Sequence, residues 1–270
     1  MTRRPLGRPV PAEGENGTYS QSWYPLCLSR ELDETPVVEV AFLGGRVAVS
    51  RDARGAECAG FPVVERYGIV WAFHGEEPLF DVPELSEELT LRHTVLDEAP
   101  VDPWLVAAQT MDVQHFLLQH KFTLEDGVDP NDAVTATAHS MGYPLRLTTP
   151  DGSRLDVRVG IHGTNIFRQT GTLDGRWFCW LTALRSVRPG VSRPYFVLGA
   201  RRGEGGADAA ADAAFLDRAA GVMMGMLADD APVLLSLHFR PGLLTRSDRA
   251  LARYLEYVRT YPRAAPSYVR

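Results

Sequence analysis

Short apolar runs separated by turn residues dominate the first part of the chain. In "PVVEVAFLGGRVAVSRDARG", residues 36–55, apolar and polar positions alternate on both sides of a Gly-Gly pair, which predicts a β-hairpin. "VVERYGIVWAF", residues 63–73, is rich in β-branched and aromatic residues and predicts a further strand. The acidic segment 76–88 contains two prolines and predicts a linker. A small β module is therefore expected over residues 21–78.

The apolar positions change to a helical period around residues 102–120, where Leu105, Ala108 and Met111 lie near one stripe. Strand patterns return from about residue 134 to 198, with Gly, Pro and Asp turns between them, which predicts an antiparallel meander. Two further amphipathic segments, 207–227 and 247–262, predict helices. The fold class predicted for the chain is α+β, with helices on one face of the larger sheet.

The composition narrows the possible partners. The chain has 270 residues, of which 45% are hydrophobic and 23% charged, as is usual for a soluble globular protein. A net charge of −6 disfavours nucleic acid and anionic membrane surfaces as partners, because both favour clustered Lys and Arg. No segment reaches the length of about 20 apolar residues that a membrane helix needs. The first 20 residues are expected to form a disordered tip.

Three cysteines, Cys27, Cys58 and Cys179, lie far apart and form no C-x-x-C pair. This spacing predicts reduced thiols and a cytoplasmic location.

Asp112, His115 and His120 lie within nine residues of one another. Two histidines and one carboxylate are a ligand set that suits ferrous iron. On a straight helix, however, a spacing of five residues separates two side chains by roughly 140°. The histidines converge only if the helix ends or bulges near Leu118. The spacing also fits an ordinary surface helix, and the pattern by itself leaves both interpretations open.

The spacing Asp112-x-x-His115-x-x-x-x-His120 resembles the iron motif of the Rieske non-haem iron oxygenases, the large subunits of ring-hydroxylating dioxygenases and their monooxygenase relatives. The segments "SWYPLCLSREL", "FPVVERYGIVWAFHGEEP" and "LLTRSDRALARYLEYVRTYP" are also similar to segments of that family. The resemblance implies a shortened Rieske-like β module followed by a helix-grip (START/Bet v1-like) catalytic domain over residues 79–270. An antiparallel sheet would wrap around a long helix in that domain.

The chain departs from the family where the [2Fe-2S] cluster would bind. A Rieske cluster is held by two Cys and two His, which in this family form C-x-H and C-x-x-H pairs. "VAFLGGRVAVSRDARG" is also similar to the family's N-terminal strands, and only Ala56 to Gly60 separate it from "FPVVERYGIVWAFHGEEP". Cys58 is the only thiol in this interval and has no histidine near it in the sequence. We therefore expect Fe(II) as the cofactor and no Rieske cluster in this chain.

The resemblance implies that His115 and His120 are iron ligands and that a later carboxylate, matched to Asp248, completes the site. Asp248, Leu251 and Leu255 share an i, i+3, i+7 stripe, although an Asp at the start of a helix also favours the positive end of the helix dipole. Asp112 is expected to orient His115 by a hydrogen bond and to face an electron donor.

Five side chains are candidates for the wall of a small-molecule pocket: Gln109, Phe116, His162, Phe167 and Trp180. A single histidine on a strand, such as His162, is more often a structural group than a pocket residue.

The function implied by the resemblance is a non-haem Fe(II), O2-dependent oxygenase acting on a small, largely apolar organic molecule. Its electrons would come from a separate Rieske or ferredoxin-type partner or from the substrate itself, and the assembly could be a homotrimer. The alternative is a non-catalytic or non-redox small-molecule-binding partner subunit of an intact Rieske oxygenase.

Overall fold

The fold is seen in a computed structural model that describes residues 9–85, 88–125, 129–236 and 244–269. The elements of the N-terminal part are β1 (Tyr19–Ser20), β2 (Trp23–Leu28), α1 (Glu31–Glu34), β3 (Val37–Phe42), β4 (Gly45–Asp52), β5 (Gly55–Cys58), β6 (Val63–Arg66) and β7 (Ile69–Phe73). Six of these strands form two three-stranded sheets, ordered β2-β7-β6 and β3-β4-β5.

Two tight turns shape this module. The predicted hairpin is confirmed as β3–β4, with Leu43 and Gly44 as a two-residue turn in which φ is 50° and 85°. Positive φ at both positions matches the twist of the flanking strands. The single strand predicted over residues 63–73 is wrong: it is a second hairpin, β6–β7, which turns at Tyr67 and Gly68 with φ of 56° and 70°.

The strands of the large sheet are β8 (Leu89–Val95), β9 (Thr123–Leu124), β10 (Thr135–Ala136), β11 (Ser140–Thr148), β12 (Arg154–His162), β13 (Ile166–Leu173), β14 (Arg176–Arg188) and β15 (Val191–Arg201). The sheet is antiparallel throughout and follows the order β10-β11-β12-β13-β14-β15-β8, with β9 paired to β11. The predicted meander is thus confirmed.

The burial of each strand shows what covers the sheet. Strand β12 alternates exposed and buried residues along most of its length, because one of its faces packs on the core and the other meets solvent. Strand β14 is buried at ten successive positions, 178–187. Its Phe178 and Trp180 belong to the core on the helix face, whereas Leu181 and Ala183 pack against the N-terminal module. The sheet is therefore covered on both faces where β14 lies.

Four helices accompany the large sheet: α2 (Pro103–Met111), α3 (Val113–Leu118), α4 (Ala209–Ser236) and α5 (Arg249–Thr260). Helix α4 packs Phe215, Leu216 and Met223 into the main core. It continues through Pro232, beyond the segment predicted to be helical. The predicted α+β fold with an antiparallel sheet and a long helix is confirmed. Within the described residues, every helix lacks an apolar stretch of the length that a bilayer crossing would need.

The two ends of the chain meet at the N-terminal module. Strand β16 (Arg263–Ala264) pairs with β1, and Glu13 is buried against Ser20 and Arg263. The expectation of a disordered tip is thus corrected for residues 9–20, which make ordered contacts. Residues 1–8 lie outside the described residues.

Candidate metal centre

Two interruptions of the helical segment bring His115 and His120 together. Asp112 leaves the helical conformation, with φ −90° and ψ 90°, and separates α2 from α3. Helix α3 then ends at Leu118, and Lys121 adopts a positive φ of 58°. The two imidazole rings consequently lie 4.5 Å apart, centroid to centroid. The condition for convergence is thus met by a helix that ends at Leu118, since a straight helix would hold the two rings apart.

Asp230 of α4 supplies the carboxylate beside the two histidines. Its Oδ1 lies 2.8 Å from His115 Nε2 and 3.2 Å from His120 Nε2. One potential ligand atom from each of the three residues lies within 4.8 Å of the other two. No other group of three His, Cys, Asp or Glu side chains with metal-binding geometry occurs among the described residues.

Helix α4 holds Asp230 on the face that it presents to the core. Met223, Leu227 and Asp230 follow an i, i+4, i+7 spacing, and all three border one cavity. The side-chain amide of Gln119 donates to the backbone carbonyl of Asp229 at 3.0 Å, which ties the loop after α3 to this turn of α4. Sequence reasoning missed Asp230, although a carboxylate on an apolar helical stripe was the available signal.

Asp248 does not join this cluster, and its assignment as the third ligand is corrected. Its carboxylate accepts hydrogen bonds from the backbone N–H of Thr245 at 2.6 Å and from the Thr245 hydroxyl at 2.7 Å. The first of these bonds is half of a capping box, in which the Thr245 side chain also accepts from the Asp248 N–H, around a short 3-10 turn, Arg246–Asp248, that leads into α5. The alternative of a helix-start Asp is therefore the one that the structure shows.

The protonation state of the cluster follows from its contacts. Burial acts to raise the pKa of Asp230, but hydrogen bonds from His115 and His120 outweigh burial and hold the pKa below its usual value. The carboxylate is therefore ionised at neutral pH, as a metal ligand must be.

The donor set fits a divalent iron ion. Both Nε2 atoms face Asp230 Oδ1, so an ion bound there would take the place of the hydrogen-bonded protons. Each imidazole would then offer Nε2 to the metal and carry its proton on Nδ1. Both Nδ1 atoms are buried without a hydrogen-bond partner in the described part of the chain. Asp229 Oδ2 lies 3.7 Å from His120 Nδ1.

Asp112 acts on His115 through the backbone. Its Oδ1 accepts a hydrogen bond from the His115 N–H at 3.2 Å and caps the first turn of α3. The expected hydrogen bond from the His115 ring to the Asp112 carboxylate is not among the contacts of the described residues, since Nδ1 of that ring has no partner and Nε2 faces Asp230. Asp112 therefore orients His115 by fixing where its helix begins.

A largely apolar cavity of about 80 Å³ adjoins His115, His120 and Asp230. Four of the five candidate pocket residues line it: Gln109, Phe116, Phe167 and Trp180. The other residues of its wall, which sequence reasoning did not single out, are Val106, Thr110, Gln169, Thr182, Phe196, Met223, Met226 and Leu227.

His162 does not line this cavity and is corrected as a pocket residue of the metal centre. It borders a separate cavity of about 240 Å³ together with His139 and Arg168. Burial and the nearby Arg168 lower the pKa of His162 to about 4, so its imidazole is neutral at physiological pH.

The three cysteines are buried in separate places. Burial raises the pKa of Cys58 to about 11, and burial is also the main cause that raises the pKa values of Cys27 and Cys179 to about 12. All three thiols are therefore protonated at neutral pH.

No family model matches the chain, and no curated protein sequence matches it. Solved structures do. The chain is similar to the terminal oxygenase of carbazole 1,9a-dioxygenase from Novosphingobium sp. KA1, with 15% identity, a TM-score of 0.64, and coverage of 90% of this chain and 92% of that one.

It is also similar to dicamba monooxygenase bound to dicamba, with 13% identity, a TM-score of 0.61, and coverage of 89% and 97%. NdmB of Pseudomonas putida CBB5 is similar at 13% identity and a TM-score of 0.59, over 88% and 90% of the two chains. The chain therefore has the fold of the terminal subunits of Rieske oxygenases, and it carries a largely buried His115–His120–Asp230 cluster within that fold.

Proposed function

We propose that this protein is a non-haem Fe(II), O2-dependent oxygenase that acts on a small, largely apolar organic molecule. The observation that carries the proposal is the convergence of His115, His120 and Asp230 beside an apolar cavity. Two imidazoles and one carboxylate leave open coordination positions on ferrous iron, which supplies the chemistry of dioxygen activation.

The residues around the cluster prepare it for this role. Asp230 contributes one negative charge, which partly neutralises the divalent ion in a site with little solvent. Phe116, Phe167 and Trp180 exclude water and present aromatic surface to a ligand. The similar solved structures include a monooxygenase bound to dicamba and NdmA with caffeine, both small ring compounds. These likenesses support a substrate of that general kind.

The electrons are proposed to come from a separate Rieske or ferredoxin-type partner. The chain has no C-x-H or C-x-x-H pair for a cluster of its own, and a hydroxylation with O2 consumes two electrons that come from outside the substrate. The second possibility is an oxidation in which the substrate itself supplies the electrons. Oxygen consumption with and without an external reductant distinguishes these two possibilities. Assembly as a homotrimer and the domain boundary near residue 79 remain predictions.

Metal analysis of protein purified without oxygen tests the iron site. We expect about one Fe(II) per chain, since one set of three ligands is present. His115→Ala, His120→Ala and Asp230→Ala should each lose the metal. Asp248→Asn is the matched control, because its carboxylate caps a helix, and it should keep its iron. Full iron occupancy in a His115→Ala/His120→Ala double variant would end the proposal.

Oxygen consumption tests the electron source. Wild-type protein is mixed with small aromatic compounds, once with a chemical reductant and a ferredoxin-type mediator and once without either. If a separate partner protein supplies the electrons, turnover is expected only in the first mixture. Sustained turnover with oxygen and substrate alone would show that the substrate supplies the electrons.

A further inference from the structure

We propose that the molecule bound beside the metal is a small, neutral, planar ring that carries an N–H or O–H group, and that Gln169 accepts its hydrogen bond. This inference rests on the proposed function for the identity of the site, and it names a group that selects the ligand.

The first observation is an unsatisfied acceptor. Gln169 lies on β13 with 2% of its surface exposed, and its Oε1 is buried without a hydrogen-bond partner among the described residues. Buried side-chain acceptors nearly always have a partner, because leaving one unpaired forfeits its hydration without compensation. Gln169 also lines the cavity beside the metal cluster, so a ligand there is the partner that the structure offers.

The second observation is the surface around Gln169. On the face of the sheet that meets the cavity, Gln169 pairs with Trp180, and the neighbouring pair is Phe167 with Thr182. Thr182 Oγ1 already accepts a hydrogen bond from Trp180 Nε1 at 2.8 Å. Gln169 therefore places a hydrogen-bond acceptor without a partner, its Oε1, on a part of the cavity wall whose neighbouring side chains are largely aromatic.

These features define the ligand chemically. Aromatic side chains favour a flat ring that can stack on them. A carbonyl-type acceptor requires an N–H or O–H donor on the ring edge. Among the described residues that line the cavity there is no Lys or Arg, so within this part of the chain a carboxylate or phosphate group on the ligand would have no cationic side chain beside it.

The volume limits the size of the ring. A cavity of about 80 Å³ is smaller than the engineered cavity of about 150 Å³ that holds benzene. A single ring enters if the flexible side chains of Met223 and Met226 move aside, as the unbranched thioether of methionine allows.

Pyrrole and furan are suitable probes, because both are flat five-membered rings and only pyrrole carries an N–H. Their dissociation constants are measured by ligand-detected NMR on zinc-loaded protein, since zinc is diamagnetic, and again on metal-free protein. We expect wild type to bind pyrrole about five- to tenfold more tightly than furan, the effect of one buried hydrogen bond.

Gln169→Met should remove this preference by weakening pyrrole binding while furan binding stays the same. It should also raise the melting temperature of ligand-free protein, because the unpaired acceptor is gone. Gln114→Met is the matched control, because Gln114 lies on α3 and does not border the cavity, and it should keep the preference.

Equal binding of the two probes, tighter binding of furan, or a preference that survives in Gln169→Met would each overturn the inference. The outcome is separable from the iron proposal. A pyrrole preference in metal-free protein supports Gln169 even if iron does not bind. If the protein binds stoichiometric iron but shows no preference for pyrrole over furan, only the proposed role of Gln169 is refuted.

Discussion

At the scale of single residues, His120 lies between two consecutive carboxylates of α4. Its Nε2 is 3.2 Å from Asp230 Oδ1, and its Nδ1 is 3.7 Å from Asp229 Oδ2. Successive helical residues point about 100° apart, so the two side chains diverge and flank the imidazole. A small movement of Asp229 would close a hydrogen bond to Nδ1–H, and such a bond fixes the tautomer of a ligand histidine.

Asp229→Ala is therefore expected to weaken metal binding without abolishing it. Loss of a group that orients a ligand histidine typically costs about 10- to 100-fold in metal affinity, whereas Asp230→Ala removes a ligand. Titration with Fe(II) or Zn(II) against a competing chelator measures the change. Asp217→Ala, at an exposed ion pair of α4 with Arg92, is the control that should bind metal like wild type. Unchanged affinity in Asp229→Ala would show that His120 needs no such support.

The identity of the third ligand could not be predicted from the sequence. Asp230 and Asp248 both follow helical spacing with apolar neighbours, so periodicity does not distinguish them. What separates them is long-range: Asp230 lies on a helix that packs beside α3, while Thr245 engages Asp248 locally. The histidine pair was predictable because both members lie in one short segment.

At the scale of elements, the break between α2 and α3 decides where His115 lies. Asp112 ends one helix and caps the next, so its side chain and its backbone conformation act together. An N-cap carboxylate also favours the positive end of the helix dipole. Asp112 therefore fixes where α3 begins and contributes to the direction in which His115 points.

Asp112→Ala should lower the free energy of unfolding by about 0.5–2 kcal/mol, the usual cost of losing an N-cap. It should also lower metal affinity, since α3 no longer begins at a fixed point. Asp112→Asn keeps an acceptor for the His115 N–H and is expected to retain most of both quantities. Denaturant unfolding and metal titration check the pair, and equal losses in the two variants would contradict a capping role.

Strands and helices were predicted correctly where one face is buried and the other meets solvent. The predictions failed where the backbone conformation departs from what the local sequence favours. The alternation of "RLDVRVGIH" marks β12 correctly, because one face of that strand meets solvent. The turn at Tyr67 and Gly68 was missed because its first position is a non-glycine residue with positive φ, which is uncommon, although Gly68 was an available signal. Helix α4 continues through Pro232 because packing on the sheet overrides local propensity.

At the scale of the whole molecule, a buried ion pair joins the two ends of the chain. Glu13 has 1% of its side chain exposed and lies 3.2 Å from Arg263. Arg263 also donates to the backbone carbonyls of Ala12 and Thr18. Arg263→Met would leave the Glu13 charge buried without its cation.

Breaking a buried pair from one side typically costs about 3–5 kcal/mol, so Arg263→Met should unfold at a clearly lower denaturant concentration. Arg46→Met serves as its control, because the Arg46–Glu39 pair is mostly exposed and should contribute little. A loss in Arg263→Met no larger than that of the control would mean that the termini are not held by this pair.

Asp102 lies between the Glu13–Arg263 pair and helix α2, which leads towards the metal centre. It precedes the first residue of α2, and its Oδ1 accepts a hydrogen bond from the Glu13 N–H at 3.3 Å. Burial, and then the nearby Glu13 charge, raise the pKa of Asp102 to about 6. The folded state thus holds this proton more tightly than the unfolded chain, whose Asp titrates near its ordinary value. The stability that the proton contributes is fully present below about pH 4 and is lost as pH rises towards 6.

Asp102→Asn keeps the carbonyl-type acceptor for the Glu13 N–H and removes the charge. It should therefore abolish the loss of stability that wild type shows as pH rises towards 6. We expect the variant to be more stable than wild type at pH 7–8 by roughly 1–2 kcal/mol, with the difference disappearing near pH 4. Denaturant unfolding across that range measures it, with Asp97→Asn, at an exposed position, as the control. A difference that is constant with pH would show that Asp102 is ionised alike in both states. A difference that follows the expected course would mean that α2, which leads to His115, begins at a group whose charge weakens the fold at neutral pH.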